Sequence, residues 1–293
     1  MFKKHSKLIT LVLSGLAIVL ILTGCKKDDQ KTKSTNKLQV TATTNVYGQV
    51  AKAVLGKHGD VTVLIKGSLD PHDFEPTTGT AKKVHNSDLV VYNGLGYDSW
   101  VKKLNPKKSV NIAADVMHKK VGDNEHLWYD SATMVKTANY LAKTYGKLLP
   151  KYQADFKKNA AKYIKDLAPL DNIIQKIKSQ KQNNKVAVSE PVFDYALENM
   201  GYQIINKHFA KATAEGNDPS YRDLKHLQDD IKNKKIAFFV ENTQSDSKVI
   251  HNLVKLCHES NVPVIQVTET IPKGKTYVSW MVDQDQQILD LQK

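Results

Sequence analysis

Cysteine is almost missing from this chain of 293 residues; Cys25 and Cys257 are its only two. That excludes a structural zinc site of four cysteines or of two cysteines and two histidines. If Cys25 is modified, Cys257 has no intramolecular partner and no disulfide is available. Cys257 follows Leu253 and Leu256 on a helical pattern, as a buried structural thiol would. Arginine is scarcer still. Arg222 is the single arginine among 43 basic residues, and the formal charge is +13. Base readout and stacking favour arginine, and no basic motif interleaved with aromatics occurs, so nucleic acid is not an expected partner. The lysines are spread along helix faces, which suits a solvated surface near anionic lipid or wall polymer. HExxH and GxSxG are lacking, and His258–Val262 (HESNV) has no second histidine. A metal-dependent hydrolase would need an open coordination position and a general base, and these residues offer no signature of one. Neither low-complexity sequence in the folded region nor a sequence repeat between its halves is found.

What is present begins with a leader. Lys3, Lys4 and Lys7 precede an apolar run from Leu8 to Leu22, followed by Leu22-Thr23-Gly24-Cys25. A basic start, a short apolar core and a small-residue cleavage point read as a secretory signal. The run is short for a spanning helix, and no stop-transfer pattern follows. The Leu-x-Gly-Cys sequence resembles a bacterial lipobox, which implies lipidation at Cys25 and a domain held on the outer face of the cell membrane. A lipobox with a lysine- and asparagine-rich composition suits a Gram-positive cell. Residues 1–25 are therefore expected to be a signal peptide. Residues 26–37 (KKDDQKTKSTNK) have no large apolar side chain and read as a disordered tether.

From Leu38 onward, strand-like and helical patterns alternate. Strands are expected at Leu38–Thr43, Val61–Ile65, Leu89–Tyr92 and Val110–Ala113, and again at Val186–Ser189, Tyr202–Ile205, Ile236–Val240 and Val264–Thr268. Helical spacing intervenes, with Asp130 as an N-cap for a helix to Leu149. A long amphipathic stripe runs from Lys151 to Ser179, and Pro169 is expected to kink it. The reading is an α/β fold of two lobes with mostly parallel sheets. The lobes span 38–149 and 184–293, and one long helix (150–183) joins them.

In open α/β sheets, ligands gather beyond the carboxyl ends of the strands. His72 follows the second strand in Gly67–Thr77 (GSLDPHDFEPT), a loop stiffened by two prolines. His126 follows the fourth, Glu190 directly follows the fifth, and Glu269 directly follows the last. Two imidazoles and two carboxylates make a coherent donor set for a divalent transition metal. Glu241, ending the seventh strand, is a competing carboxylate. His58, His85, His118, His208, His226, His251 and His258 read as surface or structural. Asp70, Asp73 and Glu75 read as makers of turn hydrogen bonds.

The segments DPHDFEPT, NEHLWYD, VAVSEPVFDYAL and VPVIQVTETIP, in this order, resemble the metal-binding lipoproteins of bacterial metal ABC transporters, the TroA-like solute-binding family. The likeness covers residues 38–292. It implies two (βα) lobes joined by a rigid helix, with a metal between them held by two ligands from each. By the motifs, the ligands fall on His72, His126, Glu190 and Glu269. The last departs from the usual phenylalanine-threonine-aspartate setting, since here the segment reads VTET. The resemblance implies a receptor, not an enzyme. Its cargo would be one divalent metal, passed to a membrane permease driven by a cytoplasmic ATPase. Glutamate as third ligand leans toward manganese, and zinc is the alternative. Zinc members often carry a histidine-rich loop before the second motif, and residues 115–126 hold only His118 besides His126. The chain is expected to act as a monomer. Adhesion, for which relatives are often named, is the competing role. Protonating the imidazoles should weaken binding in mild acid.

Overall fold

The computed structural model describes residues 37–65, 67, 74–180, 183–245 and 247–292. Residues 36–293 cluster as one unit. The leader with Cys25, all of the tether but its last residue, and the loop positions 68–73 with Asp70, His72 and Asp73 lie outside the described residues.

Two four-stranded parallel sheets carry the fold. In the first, β1 (Leu38–Ala42), β2 (Gly59–Val63), β3 (Leu89–Tyr92) and β4 (Ser109–Asn111) stand in the order β2-β1-β3-β4. In the second, β5 (Lys185–Val188), β6 (Gln203–Ile204), β7 (Phe239–Asn242) and β8 (Val264–Val267) stand in the order β6-β5-β7-β8. Among the described residues, all six strand pairings are parallel. The halves thus repeat one topology, which their sequences do not disclose. In each, the winding reverses between the first and third strands, and the crevice for a ligand opens there.

The helices follow the apolar periodicity. In the first half, α1 (Asn45–Leu55) and α2 (Thr78–Asn86) precede α3 (Ser131–Leu148). The Asp130 carboxylate caps α3 by accepting from the Ala132 N–H at 3.0 Å. Thr77 and Thr80 form a capping box on α2. The run expected as one joining helix is divided into α4 (Gln153–Asp166) and α5 (Ala168–Gln180), with Leu167 between them. Pro169 has no N–H to return to the preceding turn, and the break falls beside it. The stripe holds on both sides: Phe156, Ala160, Leu170, Ile174 and Ile177 are buried.

The second half holds α6 (Asp194–Asn199), α7 (Lys207–Ala214), α8 (Tyr221–Lys232), α9 (Lys248–Glu259) and α10 (Tyr277–Asp290). The sequence pattern gives no element at α7. Its eight residues bury only Phe209 and Ala210, too few to show a period. The strand expected at Ile236–Val240 is displaced toward its carboxyl end, to Phe239–Asn242. That shift brings Glu241 and Asn242 inside the strand.

One apolar cluster runs through both halves. It joins Val40, Tyr47 and Leu141 of the first to Val188, Val240 and Trp280 of the second, by way of Ile174 and Ile177 of α5. Helix α10 packs along α5. Smaller clusters cover the outer faces of the sheets. Among the described residues, no helix is long and apolar enough to cross a membrane.

Candidate metal centre

Segments that follow strands of the two sheets meet, with Asn124, His126 and Tyr129 of the first half against Pro191, Tyr195, Thr268 and Glu269 of the second. His126 lies in the loop between β4 and α3 and is 3% exposed. Its ring packs edge-on to Trp128, with ring centres 5.4 Å apart. The Asn124 side-chain oxygen accepts from the His126 backbone N–H at 2.9 Å and lies 2.8 Å from the ring Nδ1. The Asn124 amide nitrogen donates to the Pro191 carbonyl at 2.6 Å, which orients the amide. Nδ1 therefore faces an oxygen that can only accept, so it carries the proton. Nε2 keeps its lone pair, and that atom lies 3.9 Å from Glu269 Oε2 of the opposite half.

Glu269, 8% exposed, sits in a turn that is pinned from several sides. Its N–H and that of Thr270 both donate to Gln244 Oε1, at 2.7 and 3.0 Å. The preceding Thr268 carbonyl accepts from the Tyr129 hydroxyl at 2.6 Å, and the Thr268 hydroxyl accepts from the Trp280 indole at 2.9 Å. A narrow cavity of about 10 Å³ reaches Glu269 and Thr270 from Thr44, Ile65, Gly67 and Tyr97. It has room for about one water-sized body.

Glu190 follows β5 at the switch point of the second sheet. Its Oε2 accepts from Asn242 Nδ2 of β7 at 2.7 Å. Asn93, just after β3, holds the matching place in the first sheet. Its side-chain nitrogen donates to the Glu125 carbonyl at 3.0 Å, beside His126. Its oxygen accepts from the Tyr47 hydroxyl. Behind it, the buried Asp98 carboxylate accepts from the Thr43 hydroxyl and the Asn93 and Gly94 N–H groups at 2.7–2.8 Å. Burial still raises the Asp98 carboxyl above its ordinary value, against those three donors. An asparagine at the end of the third strand of each sheet, β3 and β7, thus fixes a segment that carries a candidate ligand.

Of the expected ligands, His126 and Glu269 are brought together and His72 lies outside the described residues. Among the described residues, no three histidine, cysteine, aspartate or glutamate side chains are grouped as a metal cluster. Glu190 engages Asn242 instead. The competing carboxylate, Glu241, is bonded by Gln266 Nε2 of β8 at 3.0 Å. Strand alternation turns it away from Asn242's side of the sheet. His85, His118, His208, His226, His251 and His258 are exposed. His58 is buried and structural: it stacks on Tyr152 and lies 2.7 Å from Asp155. Asn93, Asn124 and Asn242 were not singled out from the sequence. Their signal is position alone, since two end buried apolar runs and one stands two residues before a histidine.

Asp194, the first residue of α6, has a buried oxygen without a hydrogen-bond partner among the described residues. Burial pushes its carboxyl up to about 6, with Lys207 opposing, Glu198 adding and His126 opposing. The Cys257 thiol is fully buried, and burial pushes it up to about 12.

These features define a cleft between two parallel-sheet halves, with an imidazole and a carboxylate opposed across it, as in solute-binding proteins of bacterial metal transporters. The family model described as "Zinc-uptake complex component A periplasmic" (ZnuA) matches residues 40–290, and the chain belongs to that family. The chain is 27% identical over 254 residues to the manganese-binding lipoprotein MntA of Bacillus subtilis, covering 82% of each. It is 25% identical over 305 aligned positions to the zinc-binding lipoprotein AdcA of Streptococcus pneumoniae, covering 94% of this chain and 59% of that one. Among solved structures, a Mn-bound periplasmic metal-binding protein from Candidatus Liberibacter asiaticus superposes with a TM-score of 0.74 at 18% identity, over 88% of this chain and 100% of that one. The laminin-binding adhesin Lmb of Streptococcus agalactiae gives 0.73 at 21%, over 87% and 100%. These two likenesses show the fold. The expected α/β class holds, and the family is one of solute-binding proteins rather than enzymes.

Proposed function

We propose that this protein is a lipid-anchored receptor on the outer face of a Gram-positive cell membrane. It captures one divalent transition metal, manganese in preference to zinc, and delivers it to the permease of an ABC transporter. Cys25 is the lipid-bearing residue, 26–37 the tether, and 38–149 and 184–293 the lobes on either side of 150–183. The ligands are His72, His126, Glu190 and Glu269.

The observation that carries this reading is the approach of His126 Nε2, its lone pair free, to Glu269 Oε2 of the opposite half at 3.9 Å. A metal between them would draw the halves together. Two carboxylates offset a divalent charge and add hard oxygen donors, a set that suits manganese better than three imidazoles would. The manganese-binding relative supports that preference. The zinc-binding one keeps zinc as the alternative, because most such sites hold zinc more tightly than manganese. Protons compete with the metal for imidazole nitrogen, so affinity falls in mild acid.

The test is metal uptake in cells lacking the protein, complemented with the unsubstituted chain or with His126→Ala. Restored accumulation of radioactive manganese by the first and not by the second is expected. Equal restoration by both would refute the assignment. Restored zinc uptake without manganese uptake would overturn the metal preference alone.

A further inference from the structure

Asn124 makes contacts in two directions. Toward its own half, its side-chain oxygen accepts from the His126 backbone N–H and faces the ring Nδ1 at 2.8 Å. Toward the other half, its amide nitrogen donates to the Pro191 carbonyl at 2.6 Å, one residue beyond Glu190. Its backbone carbonyl accepts from the Tyr195 hydroxyl of α6 at 3.0 Å. Lys119 of the same loop lies over the Tyr195 ring, 4.8 Å from its centre. The amide thus joins the orientation of His126 to the segment that bears Glu190.

We infer that Asn124 is a positioning residue that makes the metal-binding tautomer of His126 depend on contact between the two halves. The amide can present oxygen or nitrogen to the ring. Two groups decide which: the His126 backbone N–H can only donate and draws the oxygen, and the Pro191 carbonyl can only accept and draws the NH₂. With oxygen on the ring, Nδ1 holds the proton and Nε2 is a ligand. A ring nitrogen bonded to metal sharpens the acidity of the opposite N–H, so loading strengthens the bond to Asn124 and, through the amide, the bond to Pro191. Separating the halves removes the Pro191 acceptor, leaves the His126 N–H as one of two anchors on the amide, and so loosens the tautomer. Metal release is thereby tied to opening.

This inference rests on His126 being a metal ligand. Its test uses the full-length protein in detergent, labelled with ¹⁵N-histidine, as the unsubstituted chain, Asn124→Ala and Asn124→Asp. The readouts are the ring-nitrogen shifts without metal, the Zn²⁺ affinity by competition titration and the dissociation rate of Zn²⁺ into excess chelator. The unsubstituted protein is expected to show His126 with the proton on Nδ1. Asn124→Ala should show mixed tautomers and bind zinc about 10- to 100-fold more weakly. Asn124→Asp keeps the acceptor for Nδ1 but sets an oxygen against the Pro191 carbonyl. It should keep the tautomer and release zinc up to about 10-fold faster, with the carboxylate's strengthening of the imidazole donor working the other way.

An unchanged tautomer and unchanged affinity in Asn124→Ala would overturn the inference. Where that variant does not fold, an unchanged release rate in Asn124→Asp would do so. Absence of zinc binding by the unsubstituted protein would instead refute the metal-receptor reading. The tautomer in metal-free Asn124→Ala would still decide the positioning role.

Discussion

His126 Nε2 and Glu269 Oε2 face each other at 3.9 Å, the first from the loop before α3 and the second from the turn after β8. They are 143 positions apart in the chain, and two parallel sheets of the same strand order bring them together. Replacing Glu269 by glutamine keeps the shape of the side chain and removes its charge. The Glu269→Gln protein should bind divalent metal at least about 100-fold more weakly by competition titration, more than the 10- to 100-fold cost usual for groups behind the ligands. Unchanged affinity would remove Glu269 from the ligand set.

Asn242 holds Glu190 Oε2 at 2.7 Å from the end of β7. Asn242→Ala frees that carboxylate to rotate without deleting it. Metal affinity should fall by about 10-fold, the usual cost of losing a group that orients a ligand. The variant's urea unfolding without metal and its metal titration, measured side by side, separate this effect from simple loss of stability.

Asp194 gives a pH dependence whose sign follows from its burial. Its carboxyl is raised to about 6 in the folded protein, above the value of about 3.9 expected when unfolded. The folded state therefore holds a proton that the unfolded state has lost. Ionising Asp194 costs stability as pH rises from about 4 to 6, and the full cost remains above that. Asp194→Asn should stabilise the metal-free protein at pH 7.5 by at most about 3 kcal/mol, the equivalent of roughly two units, and less with solvent screening. The gain should shrink below pH 6 and vanish near pH 4. Urea midpoints across this range in chelator check it.

Cys257 is fully buried on α9, and its thiol is pushed up to about 12. The folded protein should resist alkylation of Cys257 by iodoacetamide at pH 8, and the protein in urea should be modified there at once. Mass spectrometry of the Cys257 peptide distinguishes the two.

Most of the architecture was legible because buried parallel strands such as Leu89–Tyr92 are unbroken apolar runs, and α3 announces itself with Asp130. Helix α7 was not, since it is short and buries few residues. The division of the joining helix was legible only as a kink at Pro169; its place at Leu167 depends on local hydrogen bonding. At the site, the histidine and carboxylates stood out as donor types following strands. The asparagines that aim them did not, because an amide's role rests on what it faces, and Pro191 meets Asn124 only in the folded chain. The common strand order of the halves was likewise hidden, for topology is kept by burial pattern and not by residue identity.

The central claim is tested most directly by elemental analysis of the domain from Lys26 onward, purified from metal-replete cells beside a His126→Ala/Glu190→Ala variant. About one manganese or zinc per chain, lost in the variant, is the predicted result. No stoichiometric metal in either protein would contradict the account.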